Sequence, residues 1–274
     1  MNLKNYPDPE HCPEWATATL RYQQDKKMSE SPGFDAEAQA AKELYDLENC
    51  NVFVDLGSWL GVLSYKFKKI VNPESLYILD AIPLYLRMTR NLFLREKIEE
   101  NVFLEEMCIV PNPEKFNNRF EINISDSIQT STILPQPQLK NKIIVSVPTT
   151  EAITPFNAGI KLSSLYKNNG YLKLDIDGMD CALVNAILSL KMQPKVIHFE
   201  GLIDKDHRRE EFRTTLKKLK ENGFSIPDDS IIFDSGFIMV VVITSKYNWR
   251  LLTYTMVNNN NIVFNNVMSG SVYS

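Results

Sequence analysis

Cysteine is too sparse here to build a metal knuckle or a redox pair. The 274 residues hold four, Cys12, Cys50, Cys108 and Cys181, and the nearest two are 38 positions apart. Isolated thiols behave as small core hydrophobes, which fits a reducing, cytoplasmic setting. Charge of one sign is also missing. Lys and Arg number 30 against 34 Asp and Glu, so the chain carries no electrostatic footprint for nucleic acid. A neutral or cationic small acceptor stays open. No run approaches the roughly 18 apolar residues of a membrane span. The opening Met-Asn-Leu-Lys-Asn-Tyr-Pro lacks the apolar core of a secretory signal. No internal repeat is visible. What is present is ordinary globular usage, 44% apolar and 23% charged, in a chain long enough to bury one sizeable core.

Residues 1–33 are polar, carry Pro7, Pro13 and Pro32, and do not read as core; one helix fits Glu14 to Lys27. Residues 34–48 are rich in helix formers. From Asn51 onward, short apolar runs alternate with helical stretches. The strands are NVFVDLG (51–57), SLYILD (75–80), NVFLEEMCIV (101–110), YLKLDID (171–177) and KVIHFEG (195–201). The helices are Leu60–Ile70, Pro83–Ile98, Ile160–Asn168, Asp180–Lys191 and Arg208–Asn222, the last closed by Gly223. Residues 111–140 break the rhythm with four prolines and read as an insertion or flap, with a hairpin around FEINIS; Lys142–Thr150 reads as a short edge strand. FSIPDDSIIF and GFIMVVVIT, joined by Asp234-Ser235-Gly236, read as closing strands in an antiparallel hairpin. WRLLTYTMV offers an extra strand before a loose end.

This alternation predicts an α/β fold: a doubly wound, mostly parallel, seven-stranded sheet with a C-terminal antiparallel strand. The expected organisation is a helical extension over 1–49, a ligand-binding domain over 50–245 and a tail over 246–274.

Ligands of such sheets bind beyond the carboxyl ends of the strands. The first strand ends in Asp55-Leu56-Gly57-Ser58-Trp59-Leu60-Gly61. Gly57 and Gly61 suit a tight turn and close approach of the backbone to a ligand. The second strand ends in Asp80, 23 residues after Gly57, where an acid can accept from vicinal ribose hydroxyls. The loop is G-x-x-x-G, without the third glycine that a pyrophosphate wants, and Trp59 would crowd a phosphate. A ligand with ribose and no phosphate fits better. The fourth strand brings Lys173, Asp175 and Asp177 to one side by alternation. Lys173 can neutralise Asp175, and Asp177 or Asp180 can cap the next helix. The fifth ends in His198-Phe199-Glu200-Gly201, with Glu200 facing the crevice. The charge run at Asp204–Arg209, with His207, reads as a solvated helix start.

VFVDLGSWLG, YILDAIPLY, YLKLDIDGMDCALVNAIL and KVIHFEG together resemble the FkbM family of S-adenosylmethionine (SAM)-dependent methyltransferases, over roughly residues 50–225. Asp55, Gly57, Ser58 and Gly61 fall on a motif similar to Asp-x-Gly-Ala-x-x-Gly. Asp80 and Pro83 fall on an acid followed by a proline turn. Lys173, Asp175 and Gly178 match Lys-x-Asp-x-Glu-Gly-x-Glu, with Asp177 and Asp180 in place of the glutamates. The resemblance implies a Rossmann-like methyltransferase fold and SAM-dependent O-methylation of a sugar or natural-product hydroxyl. The expected cofactor contacts are Asp55, Gly57, Ser58, Trp59, Gly61, Asp80 and Asp175. The candidate bases are Asp177, Glu200 and His198, in that order. No spacing signature calls for a metal, although Asp175, Asp177, Glu200 and His198 could offer ligands to Mg²⁺. The rivals are a nicotinamide-dependent oxidoreductase, a non-catalytic module with a decayed SAM pocket, and a nucleic-acid methyltransferase. A homo-oligomer is open, through apolar residues of the tail.

Overall fold

The computed structural model describes residues 1–7, 32–115, 119–124, 131–132, 143–149, 151–167, 169–202, 206–226, 238–244, 248–257 and 261–271. The helix expected over Glu14–Lys27 and most of the FSIPDDSIIF strand lie outside them. Apolar runs closed by an acid or glycine become the strands β1 (Val52–Leu56), β2 (Ser75–Asp80) and β3 (Val102–Glu106). The helix α1 (Pro32–Leu47) precedes β1, and α2 (Val62–Ile70) and α3 (Pro83–Arg95) run between the strands. The short β4 (Cys108–Ile109), β5 (Arg119–Ile124), β6 (Ser131–Thr132), β7 (Ile143–Pro148) and β8 (Ala152–Ile153) follow. The alternation then resumes with α4 (Pro155–Tyr166), β9 (Gly170–Leu174), α5 (Asp180–Leu188), β10 (Val196–Leu202) and α6 (Asp206–Glu221). Three strands close the chain: β11 (Ile238–Thr244), β12 (Asn248–Val257) and β13 (Asn261–Ser271).

The main sheet runs β13-β12-β11-β10-β9-β1-β2-β3. Five strands, β10 to β3 in that order, are parallel; β11, β12 and β13 are antiparallel. The fold is therefore the doubly wound one expected, and among the described residues its main sheet has eight strands. Residues 248–257, offered as an extra strand, and 261–271, expected as a loose end, both join it, the latter through a main-chain ladder to β12. The insertion is not a simple hairpin: β5 pairs with both β6 and β7 in a separate three-stranded sheet. The third strand breaks at Met107, after which β4 pairs with β8.

Side-chain alternation sorts the core into two layers. Val52, Val54, Leu172 and Ile197 pack under α4, α5 and α6. Phe53, Leu76, Tyr171 and Val196 pack under α1, α2 and α3, and the rings of Phe53 and Tyr171 stack at 4.6 Å. Leu3 and Tyr6 are buried in this second layer, which corrects the reading of residues 1–33 as outside the core. Among the described residues, no helix is long and apolar enough to cross a membrane.

Candidate functional site

The sheet order reverses between β1 and β9, so the loops after them diverge to opposite faces and leave a crevice. A cleft of about 680 Å³, open to solvent, lies at that carboxyl-end edge. Leu56, Gly57 and Trp59 come to it from the end of β1, Asp80 from the end of β2, and Asp175 and Asp177 from beyond β9.

The loop after β1 is shaped by its neighbours more than by a ligand. Gly57 has φ +76, and a Cβ there would sit 1.7 Å from the Asp175 carbonyl oxygen; at Gly61, φ +67, a Cβ would sit 2.4 Å from the Thr89 side chain. Each glycine is thus demanded by a protein contact, whatever room it also leaves a ligand. Gly57 still lines the cleft, whereas Ser58 and Gly61 do not. The Ser58 hydroxyl and the Trp59 indole nitrogen are buried without a hydrogen-bond partner among the described residues.

Asp80 ties the two loops together. Its two oxygens accept one backbone N–H each, from Trp59 and Ile82, both at 2.9 Å. Each oxygen keeps a further lone pair. Burial pushes this carboxyl up to about 7, against the two backbone donors that favour the ionised form.

Asp55 is fully buried and does not line the cleft. It accepts from the Ser64 hydroxyl at 2.5 Å and pairs with Lys173 at 3.1 Å. Lys173 also reaches Asp175 at 3.3 Å and the Gly57 carbonyl at 3.2 Å. Burial works against the lysine charge, but Asp55 and Asp175 outweigh it and hold its ionisation above the usual range. Asp55 therefore anchors Lys173 instead of touching a ligand, which corrects its assignment as a cofactor contact. Replacing Lys173 by methionine leaves Asp55 as a buried charge without its cation. The expected cost is roughly 3–5 kcal/mol of stability, and a melting temperature equal to wild type would contradict it.

Asp177 reaches the cleft by a different route from the one expected. The strand ends at Leu174, and Asp177 and Gly178 turn with φ +45 and +97. Aspartate enters this left-handed region more readily than most residues other than glycine. One oxygen each from Asp175, Asp177 and Glu200 lie within 4.8 Å of one another. That set could serve a divalent ion or a ligand cation. Burial, and then the charges of Asp175, Asp177 and Asp180, push Glu200 well above the usual carboxylate range. Asp180 does not cap α5: Met179 holds the cap position, and Asp180 accepts from the Ile176 N–H at 3.2 Å.

His198 is the clearest correction. It is buried beneath the sheet, 2.9 Å from the Tyr171 hydroxyl and 3.0 Å from Glu37, and does not line the cleft. Conversely, Met107, Cys108, Ile109 and Ile122 of β5 bring apolar side chains to the lining. The run's last four residues, MCIV, were the available signal. Burial pushes the Cys108 thiol up to about 12, so it stays protonated.

No family model matches this chain, and no curated protein matches it. Solved structures do. The chain is similar to an O-methyltransferase from Bacillus cereus in complex with SAH, at 9% identity and a TM-score of 0.47, over 96% of this chain and 93% of that one. It is also similar to precorrin-6y C5,15-methyltransferase from Geobacter metallireducens GS-15, at 11% identity and a TM-score of 0.40, over 85% and 84%. At such distances function has to be read from the cleft itself.

Proposed function

We propose that the cleft binds SAM and that the protein is an O-methyltransferase of FkbM type, acting on a hydroxyl of a sugar or natural-product-like small molecule. One observation carries this reading. The cleft lining offers Asp80, Asp175 and Asp177 and no basic side chain among the described residues. A phosphate would be repelled there; a cation with vicinal hydroxyls would be held. SAM is such a ligand, with a sulfonium and an ammonium group, a ribose and no phosphate. This disfavours a nicotinamide dinucleotide and an anionic nucleic-acid acceptor alike.

The residues fit the group. Asp80 keeps lone pairs for ribose hydroxyls beyond its two backbone donors, and the buried, unpartnered Trp59 indole N–H stands beside it in the lining. Met107, Cys108 and Ile109 supply an apolar wall for a flat base. When bound, the cofactor supplies a methyl group already activated by the sulfonium charge. The protein's share is alignment of the acceptor and removal of its proton. Asp177 is the base on this reading, with Glu200 beside it.

Calorimetry with S-adenosylhomocysteine (SAH) tests the donor site. Uptake is expected, and it should strengthen as pH rises through about 7, where Asp80 ionises in the free protein. The sign follows from the acceptor role: hydroxyls donate better to a carboxylate than to a carboxylic acid, so binding releases a proton. Folded protein that takes up no SAH at any pH would end the assignment.

A further inference from the structure

Glu37 is out of place on stability grounds. The neighbouring buried positions of α1 are Ala38, Ala40, Ala41, Leu44 and Tyr45, all able to pack without charge. A buried carboxylate gives up a large hydration energy, and apolar replacements of buried ion pairs are often as stable or more so. Yet Glu37 is 8% exposed and points its Oε1 to within 3.0 Å of His198 Nε2.

Register explains what it meets. Asp55 of β1, Lys173 of β9 and His198 of β10 are cross-strand partners, so they form one row across three parallel strands on the face that α1 covers. Tyr171, two residues earlier on β9, closes the other nitrogen of His198 at 2.9 Å. Lys173 links the row upward to Asp175, which lines the cleft. Glu37 also lies within electrostatic reach of Lys173 and Asp175. The row thus connects a helix outside the motif-bearing region with the rim of the site.

We propose that Glu37 is a positioning residue for the cleft: through His198 and Lys173 it balances the buried row, so that Asp175 stays turned toward the ligand. The inference rests on the SAM reading, because its sign depends on the ligand's cationic groups, of which SAH keeps the ammonium. Without the Glu37 charge, Lys173 is less compensated. It then draws Asp175 inward, away from the ligand, which weakens the hold on a cation. The helix carries a built-in control. Glu43, on the same helix, pairs with Arg250 at 2.8 Å on the exposed side and plays no part in the row.

The test is SAH calorimetry and thermal melting on the full chain as wild type, Glu37→Gln, Glu37→Asp and Glu43→Gln. Glu37→Gln is expected to bind SAH about tenfold more weakly, with some loss of melting temperature because one partner of a buried pair is removed. Glu37→Asp should recover most of the affinity, and Glu43→Gln should match wild type. A purely structural Glu37 would lower the melting temperature and leave affinity intact, and that result overturns the proposal. If Glu37→Gln does not fold, Glu37→Met decides on the same readout: weaker SAH uptake than Glu43→Gln supports the proposal, and unchanged affinity overturns it. Wild-type protein that binds no SAH removes the SAM reading and this inference together. Normal wild-type binding with an indifferent Glu37→Gln removes this inference alone.

Discussion

Asp80→Ala is expected to weaken SAH uptake by at least about 100-fold, since each hydrogen bond to a charged acceptor contributes roughly 1.5–3 kcal/mol and the carboxylate faces two hydroxyls. The same change strands the Trp59 and Ile82 N–H groups that now end on Asp80 at 2.9 Å. Some loss of melting temperature will therefore accompany the loss of affinity. Asp80→Asn separates the two effects. The amide oxygen can keep one of the backbone donors, while the charge that favours the ribose is gone. It should fold close to wild type and bind SAH with intermediate strength. The pH effect is the sharper signature: with no carboxyl at 80 pushed up to about 7, the strengthening of binding through neutral pH should disappear. Wild-type affinity in folded Asp80→Ala would remove the ribose acceptor and the reading built on it.

The residues that were legible share a physical property: their role follows from position along a strand. Asp80 was visible because an apolar run closed by an acid must end at the sheet's edge, and β2 ends on it. Gly57 was visible as a turn residue, although the Asp175 carbonyl that demands it was not. Period-two alternation gives a side chain's face but not what covers it. His198 and Glu200 share a face of β10, yet the first lies level with Lys173 under α1 and the second lies beyond it, beside Asp175 and Asp177. Glu37 could not be found from its helix, because one acid among the four of an Ala-rich helix looks like part of the solvated face. Nor could β13, where the runs of Asn read as unstructured; its ladder to β12 is made by the main chain, which any residue except proline can supply.

The buried row also gives Asp55 and the Lys-x-Asp pattern a common explanation. One cation, Lys173, is held at 3.1 Å by an acid from β1 and at 3.3 Å by an acid from beyond β9. These two strands flank the point where the sheet order reverses. Pinning them to a single ammonium fixes the width of the crevice, whatever the ligand. This is a positional role for charge at a site whose ligand contacts lie one level above it.

Asp177→Asn carries the largest expected effect on turnover. A positioned base contributes about 10²–10⁴-fold to a reaction in which the acceptor hydroxyl must lose its proton, so kcat should fall by that order while SAH affinity, losing one of three acids in the lining, falls far less. Asp177 and Glu200 have oxygens within 4.8 Å of each other, and two adjacent carboxyls separate their roles by separating their ionisation. Burial and three acidic neighbours push Glu200 toward its protonated form. The group left to accept a proton is Asp177, held in the cleft by the turn at φ +45. Glu200→Gln, which preserves a neutral hydrogen-bonding group, should therefore cost far less than Asp177→Asn. If the two substitutions exchange ranks, with Glu200→Gln crippling and Asp177→Asn mild, the proton goes to the other carboxyl and the assignment is reversed. If neither slows methyl transfer, these acids hold the donor cation and the acceptor loses its proton to water.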